Sequence, residues 1–135
     1  MSWRESLVRL ADYRVEELRK RLAVLVDQRI SLETALILLQ AEAEGEQMHD
    51  LDDAEAGWWR VGYLQGWRQR RDDLTRRLEQ AKGEELGARD ALSEAFEDLK
   101  KFELVSENAH VARRAASAKV ERAAMDELGL RAATA

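Results

Sequence analysis

The stretch from Leu64 to Leu130 constrains this chain more than any other. With Leu64 as the first core position of a heptad, the a residues are Leu64, Arg71, Leu78, Glu85, Leu92, Leu99, Ser106, Arg113, Val120 and Glu127. The d residues are Trp67, Leu74, Ala81, Ala88, Ala95, Phe102, Ala109, Ala116, Ala123 and Leu130. The alternation of three- and four-residue steps never slips, and the chain contains no proline to break it. A stripe repeating every seven residues lies along one side of an α-helix and stays covered only if a second helix winds beside it. At ~1.5 Å per residue such a helix is about 100 Å long, a rod rather than part of a globule.

A second heptad pattern precedes it. From Arg4 to Ala43 the a residues are Val8, Val15, Leu22, Arg29, Leu36 and Ala43, and the d residues are Arg4, Ala11, Leu18, Leu25, Leu32 and Leu39. Between the two patterns the register is lost. Gly45 offers a helix C-cap there, and Asp52 with Glu55 three residues on has the form of a capping box. The expected layout is one coiled-coil domain over residues 1–135: helix 3–46, turn 47–53, helix 54–130 and a short flexible C-terminal tail. A short connection between two heptad helices favours an antiparallel hairpin, because a parallel pair needs a return segment that is absent. The fold class expected is therefore all-α, two long helices in an antiparallel coiled-coil hairpin, the second helix longer and overhanging.

Two registers compete for that hairpin. One sets Val8 by Phe102, Leu18 by Leu92, Leu32 by Leu78 and Leu36 by Leu74, and brings Arg29 and Glu85 into adjacent layers. The other, one heptad tighter, sets Leu18 against Glu85 and Leu32 against Arg71. An unpaired buried charge is costly, so the first is preferred. In both, the a and d residues of the second helix beyond Ser106 have no partner within the hairpin. The outer f positions change at the same place, from Gly83, Asp90 and Glu97 to Leu104, Val111, Ala118 and Met125. At the start of the first helix, Trp3, Leu7 and Leu10 occupy c and g positions outside its seam. Apolar residues on two faces of a helix imply two neighbours, or one that surrounds it.

Composition narrows the function. Charged residues make up 36 % and aromatics 6 %, so any core is a thin Leu/Ala seam. The absence of cysteine excludes disulfides and thiolate metal sites. A net charge of −5 weighs against nonspecific nucleic-acid binding, which depends on clustered Lys and Arg. No stretch has the apolar length of a membrane span and the N-terminus lacks a signal-type apolar region, so no membrane insertion and a cytoplasmic location are expected.

Other constellations have bland readings that outweigh the chemical ones. His49 among Glu44, Glu46, Asp50, Asp52 and Asp53 reads as a solvated hairpin tip rather than a metal site, since only one imidazole is present. His110, with Glu107 and Arg114 nearby, reads as a surface histidine. Trp67 and Tyr63 are expected to pack on the Leu36–Ala43 end, leaving Trp58 or Trp59 exposed as an anchor for another protein or as part of a stiffened tip. The run Arg68, Arg70, Arg71, Arg76, Arg77 is interleaved with Asp72, Asp73 and Glu79 and reads as a solvated face. No nucleophile with a base, no glycine loop after a strand and no histidine pair at metal spacing occurs. Neither an enzyme nor a cofactor is expected.

The segment Leu99-Lys100-Lys101-Phe102, followed by Lys119-Val120-Glu121-Arg122-Ala123-Ala124-Met125-Asp126-Glu127, resembles the C-terminal half of the FliJ family, small coiled-coil proteins of the flagellar type III export apparatus. Chain length, a shorter first helix, an acidic turn and a longer second helix are similar as well. The resemblance implies an antiparallel coiled coil similar to the central stalk of rotary ATPases. It implies binding of the export ATPase FliI through Trp3, Leu7, Leu104, Val111, Val120, Met125 and Glu127, and contact with its regulator FliH. It implies binding of the export gate FlhA through Leu36, Leu39, Arg70, Leu74, Arg77 and Ala81, at the cytoplasmic face of the membrane apparatus, and an escort role for export chaperones. Arg70 departs from the apolar aromatic that the family pattern favours at that place. Two alternatives stand beside this reading: the equivalent stalk of a virulence type III system, and a structural coiled coil that self-associates weakly through its uncovered heptads.

Overall fold

The computed structural model describes the backbone of residues 2–50 and 56–134, and the side chains of residues 2–46 and 59–134. Two α-helices account for almost all of it: α1, Trp3–Asp50, and α2, Ala56–Thr134. They pair as an antiparallel hairpin, and at 79 residues α2 far exceeds the 48 of α1. Ser2 starts α1 as its N-cap: its Oγ accepts the Glu5 backbone N–H at 3.2 Å, which satisfies one orphan donor, and Glu5 complements the positive end of the helix dipole.

Both helices outrun the bounds expected from sequence. α1 passes through Gly45 to Asp50, because no described glycine takes the left-handed conformation that a C-cap requires. α2 starts at Ala56 and continues through the expected tail, where Ala132 and Ala133 favour helix and the Thr134 hydroxyl donates to the Leu130 carbonyl at 3.0 Å. The centre of the expected turn, with Leu51 and the Asp52/Glu55 capping box, lies outside the described residues, as do the side chains of His49 and Trp58.

The contacts form two compact units, residues 17–92 and residues 1–16 with 93–135. In the first, Leu25, Leu39, Leu78, Ala81 and Ala88 are buried along the seam, with Leu18, Leu22, Leu32, Leu36, Leu64 and Leu74 half-buried around them. These are the a and d positions of both heptad patterns. Leucines of α1 over alanines of α2 let the two backbones approach closely while still excluding water. In the second unit, Ala11, Val15, Ala95 and Leu99 are buried, and Arg4, Val8, Phe102, Ser106 and Ala109 are half-buried.

In the first unit a buried charge marks which register the helices adopt. Glu85 is the buried charged residue of the described chain, and its two carboxylate oxygens are held from opposite sides. Arg29 Nε of α1 donates to one at 2.5 Å, and Arg89 Nη2 of α2 donates to the other at 2.9 Å. Arg29 in turn donates to both oxygens of Glu33, at 3.1 and 3.2 Å. The pairing one heptad tighter would move Arg29 and Glu85 apart by a further ~10 Å. Arg71, the other charge at a core position of this unit, stays out of the seam: it lies over the Trp67 ring and bonds Asp72 at 3.2 Å.

Arg89 first, then Arg29, hold the Glu85 carboxyl below the usual carboxylate range, against the opposing effect of burial. Glu85 and Glu33 hold the Arg29 guanidinium above its usual value. A carboxyl titrating lower in the folded chain than in the unfolded one adds stability that is present at neutral pH and is lost as pH falls through the folded value. Acidification from about pH 5 to about pH 2 should therefore lower the melting temperature of the parent more than that of Glu85→Gln, which should already melt lower at pH 7; circular dichroism melts across that range measure both. Gly83 faces outward with nothing within 4 Å of where a Cβ would stand. Gly83→Ala should raise stability by about 0.5–1 kcal/mol in the same melts, from helix propensity alone.

Candidate protein-interaction surfaces

Among the described residues no group of three or more His, Cys, Asp or Glu side chains could hold a metal ion. No described helix is long and apolar enough to cross a membrane. The candidate sites are surfaces, one in each unit.

In the unit of residues 1–16 and 93–135, α1 begins beside the middle of this part of α2. Ser2, Arg4 and Glu5 share a groove with Ser106, Ala109, His110 and Arg113. Beyond it, each residue from Val111 to Thr134 is exposed. The seam nevertheless continues in sequence, with Ala116, Val120, Ala123 and Leu130 still at a and d. Val120 is 69 % exposed, and Met125, on a different face at position f, is 70 % exposed. Leu104, Val111 and Leu128 are exposed as well. Trp3 is exposed, with the Arg4 guanidinium 4.7 Å from its ring centroid, and Leu7 is half-buried. Glu127 is exposed and accepts a hydrogen bond from Arg131 one turn on, at 3.1 Å. The residues that the resemblance implies for ATPase binding thus share one unit and, apart from Leu7, lie open to solvent.

The gate residues are divided between seam and surface. Leu39 and Ala81 are buried and Leu36 and Leu74 half-buried, so the first two back the surface rather than form it. Arg70 reaches across to Glu42 at 3.4 Å, and Arg77 pairs with Asp73 on its own helix at 3.2 Å. A groove bounded by Ala35, Leu38, Leu39 and Glu42 of α1 and by Arg70, Asp73 and Leu74 of α2 opens here, with a volume of about 400 Å³. Close to it the Trp67 indole N–H donates to the Leu39 carbonyl at 2.9 Å. Burial first, then the carboxylates of Glu42 and Glu46, push the Tyr63 phenol above its usual value. These contacts are the expected packing of Trp67 and Tyr63 on the end of α1, and Trp59 is left 78 % exposed.

Reading the seam alone misses one surface. Ile30, Thr34, Ile37 and Ala41 recur at four- and three-residue steps on the outside of α1, and Leu38 adjoins them. Ile37 and Leu38 are among the most exposed aliphatic residues of the unit. The signal was present in the apolar run Ala35-Leu36-Ile37-Leu38-Leu39, which exceeds what a single seam can cover.

The paired helices with their thin apolar seam define the class: a two-helix coiled coil. No family model matches the chain, and no solved structure matches it. Two relatives do: the flagellar FliJ proteins of two strains of Caulobacter vibrioides are each 46 % identical to it over 131 residues, 97 % of this chain and 94 % of theirs. The chain belongs to the flagellar FliJ family.

Val120 and Met125 touch no seam, so changing both to Asp should alter stability by less than about 1 kcal/mol, the scale of helix propensity alone. Denaturant unfolding followed at 222 nm measures this, and a larger loss would mean that the end of α2 packs against something in the free chain.

Proposed function

We propose that this chain is a non-catalytic stalk and adaptor of the flagellar type III export ATPase, working in the cytoplasm at the membrane export apparatus. The observation that carries the reading is the uncovered end of α2, Val111 to Thr134, which keeps apolar residues on two faces with no partner in its own unit. A helix of that kind is suited to a surrounding partner, such as the bore of an ATPase ring. In this reading Trp3, Leu7, Leu104, Val111, Val120, Met125 and Glu127 meet the ATPase FliI, with FliH as a further contact. The groove by Arg70 and Leu74, backed by Leu39 and Ala81, faces the export gate FlhA, and export chaperones are a further class of partner. Membership of a family whose relatives are named flagellar favours a flagellar over a virulence apparatus.

The second reading is self-association, and the same uncovered heptads favour it. One experiment separates the two. Purified chain and the cognate flagellar export ATPase are mixed, and ring formation and ATP turnover are followed for the parent and for the Val120→Asp/Met125→Asp variant. The stalk reading expects the parent to promote one or both, and the variant to bind at least about tenfold more weakly, a difference of about 1.4 kcal/mol. Equal binding by parent and variant removes the stalk reading. A parent that ignores the ATPase but dimerises with rising concentration establishes the second.

A further inference from the structure

We propose that the Glu33–Arg29–Glu85–Arg89 cluster is a register lock, which selects one heptad pairing of α1 and α2 from several that the apolar seam alone would accept. The seam of residues 17–92 is nearly self-similar. Its α1 side repeats leucine at Leu18, Leu22, Leu25, Leu32, Leu36 and Leu39, and its α2 side repeats alanine at Ala81 and Ala88 between Leu74, Leu78 and Leu92. Sliding one helix by seven residues puts leucine where leucine was, so most layers of the apolar packing distinguish the registers poorly.

The charges distinguish them sharply. Glu85 is buried with one oxygen on Arg29 and the other on Arg89, while Arg29 uses Nε for Glu85 and Nη1 for Glu33. The cluster thus alternates in sign through four members, with one cross-helix bond at its centre and one intrahelical pair on each side. A slip of one heptad in either direction moves Glu85 about 10 Å from Arg29 along the axis and leaves both against apolar side chains. Breaking a buried pair is far costlier than replacing it with apolar groups, and fixing register is the best attested use of such a pair. A parallel pairing of two copies in register is disfavoured too, since it would set Arg29 against Arg29 and Glu85 against Glu85.

The register of a heptad pair also determines how many residues of the longer helix lie beyond the end of the shorter one. For the stalk function proposed above, on which this consequence rests, the lock would set the length of α2 left free for the partner. The lock itself is tested without the ATPase, so its failure and that of the stalk reading are separable.

The chain contains no cysteine, so pairs can be introduced without background. Leu32→Cys/Leu78→Cys reports the native register, Leu32→Cys/Arg71→Cys a slip one heptad tighter, and Leu36→Cys/Ala81→Cys a slip one heptad looser. Each pair is oxidised under mild conditions in the parent and in the Arg29→Leu/Glu85→Leu background, and intrachain disulfide is quantified by gel and mass spectrometry. The parent should cross-link through the native pair alone. The apolar background should cross-link through the native pair and at least one slipped pair, with no fall in melting temperature. Inverting all four charges, Arg29→Glu/Glu33→Arg/Glu85→Arg/Arg89→Glu, should restore the native pair alone. An apolar background that cross-links only through the native pair overturns the lock, and so does an inverted cluster that gives slipped products.

Discussion

Two paired helices have one seam from which to exclude water, and the rest of this structure depends on keeping it closed. Among the described residues, neither unit has a second layer to compensate for a poor fit. Five of the nine buried apolar residues among those described, Ala11, Val15, Ala81, Ala88 and Ala95, are alanines or valines, so the closeness of the backbones supplies much of what bulky side chains supply in a globule. Into that seam the chain places Glu85. Charge at such a site is tolerated only when it is paired and hydrogen-bonded, and here each oxygen is bonded by an arginine. The ion pair is therefore best understood as a constraint on how the helices align, with the apolar layers supplying the driving force.

The free end of α2 follows from the same physics. Side chains at a and d that meet a partner helix are buried or half-buried, whereas Val120 and Leu130, in the same columns, are exposed. A heptad pattern is a standing commitment to a partner, and for this segment the described residues of its own unit do not provide one. The stalk reading supplies one from outside. It also accounts for apolar residues on a second face, which a dimer seam would not need.

Local backbone chemistry explains where the helices exceed the expected limits. Glycine permits a left-handed cap but does not impose one, and Gly45 stays helical because the helix gains by continuing. At the other end, helix-favouring alanines and Thr134, whose hydroxyl donates to the Leu130 carbonyl, carry α2 through residues where the repeat alone predicts a tail.

The sequence by itself determined the fold class, the two seams and the uncovered end, because a seven-residue repeat without proline specifies a helix and a covered side whatever lies beside it. It also pointed to the correct ion pair, since opposite charges at core positions of two helices have few ways to avoid burial alone. Only the tertiary structure decided which of the implied gate residues are surface and which are seam: Leu39 and Leu36 are indistinguishable as heptad leucines, yet one is buried and the other half open. It likewise decided that Arg71 leaves the seam while Arg29 remains, and that Ile37 and Leu38 form an outer patch. Those outcomes depend on which neighbour each side chain meets across the helix pair, and a one-dimensional repeat records the side on which a residue lies but not the partner that covers it.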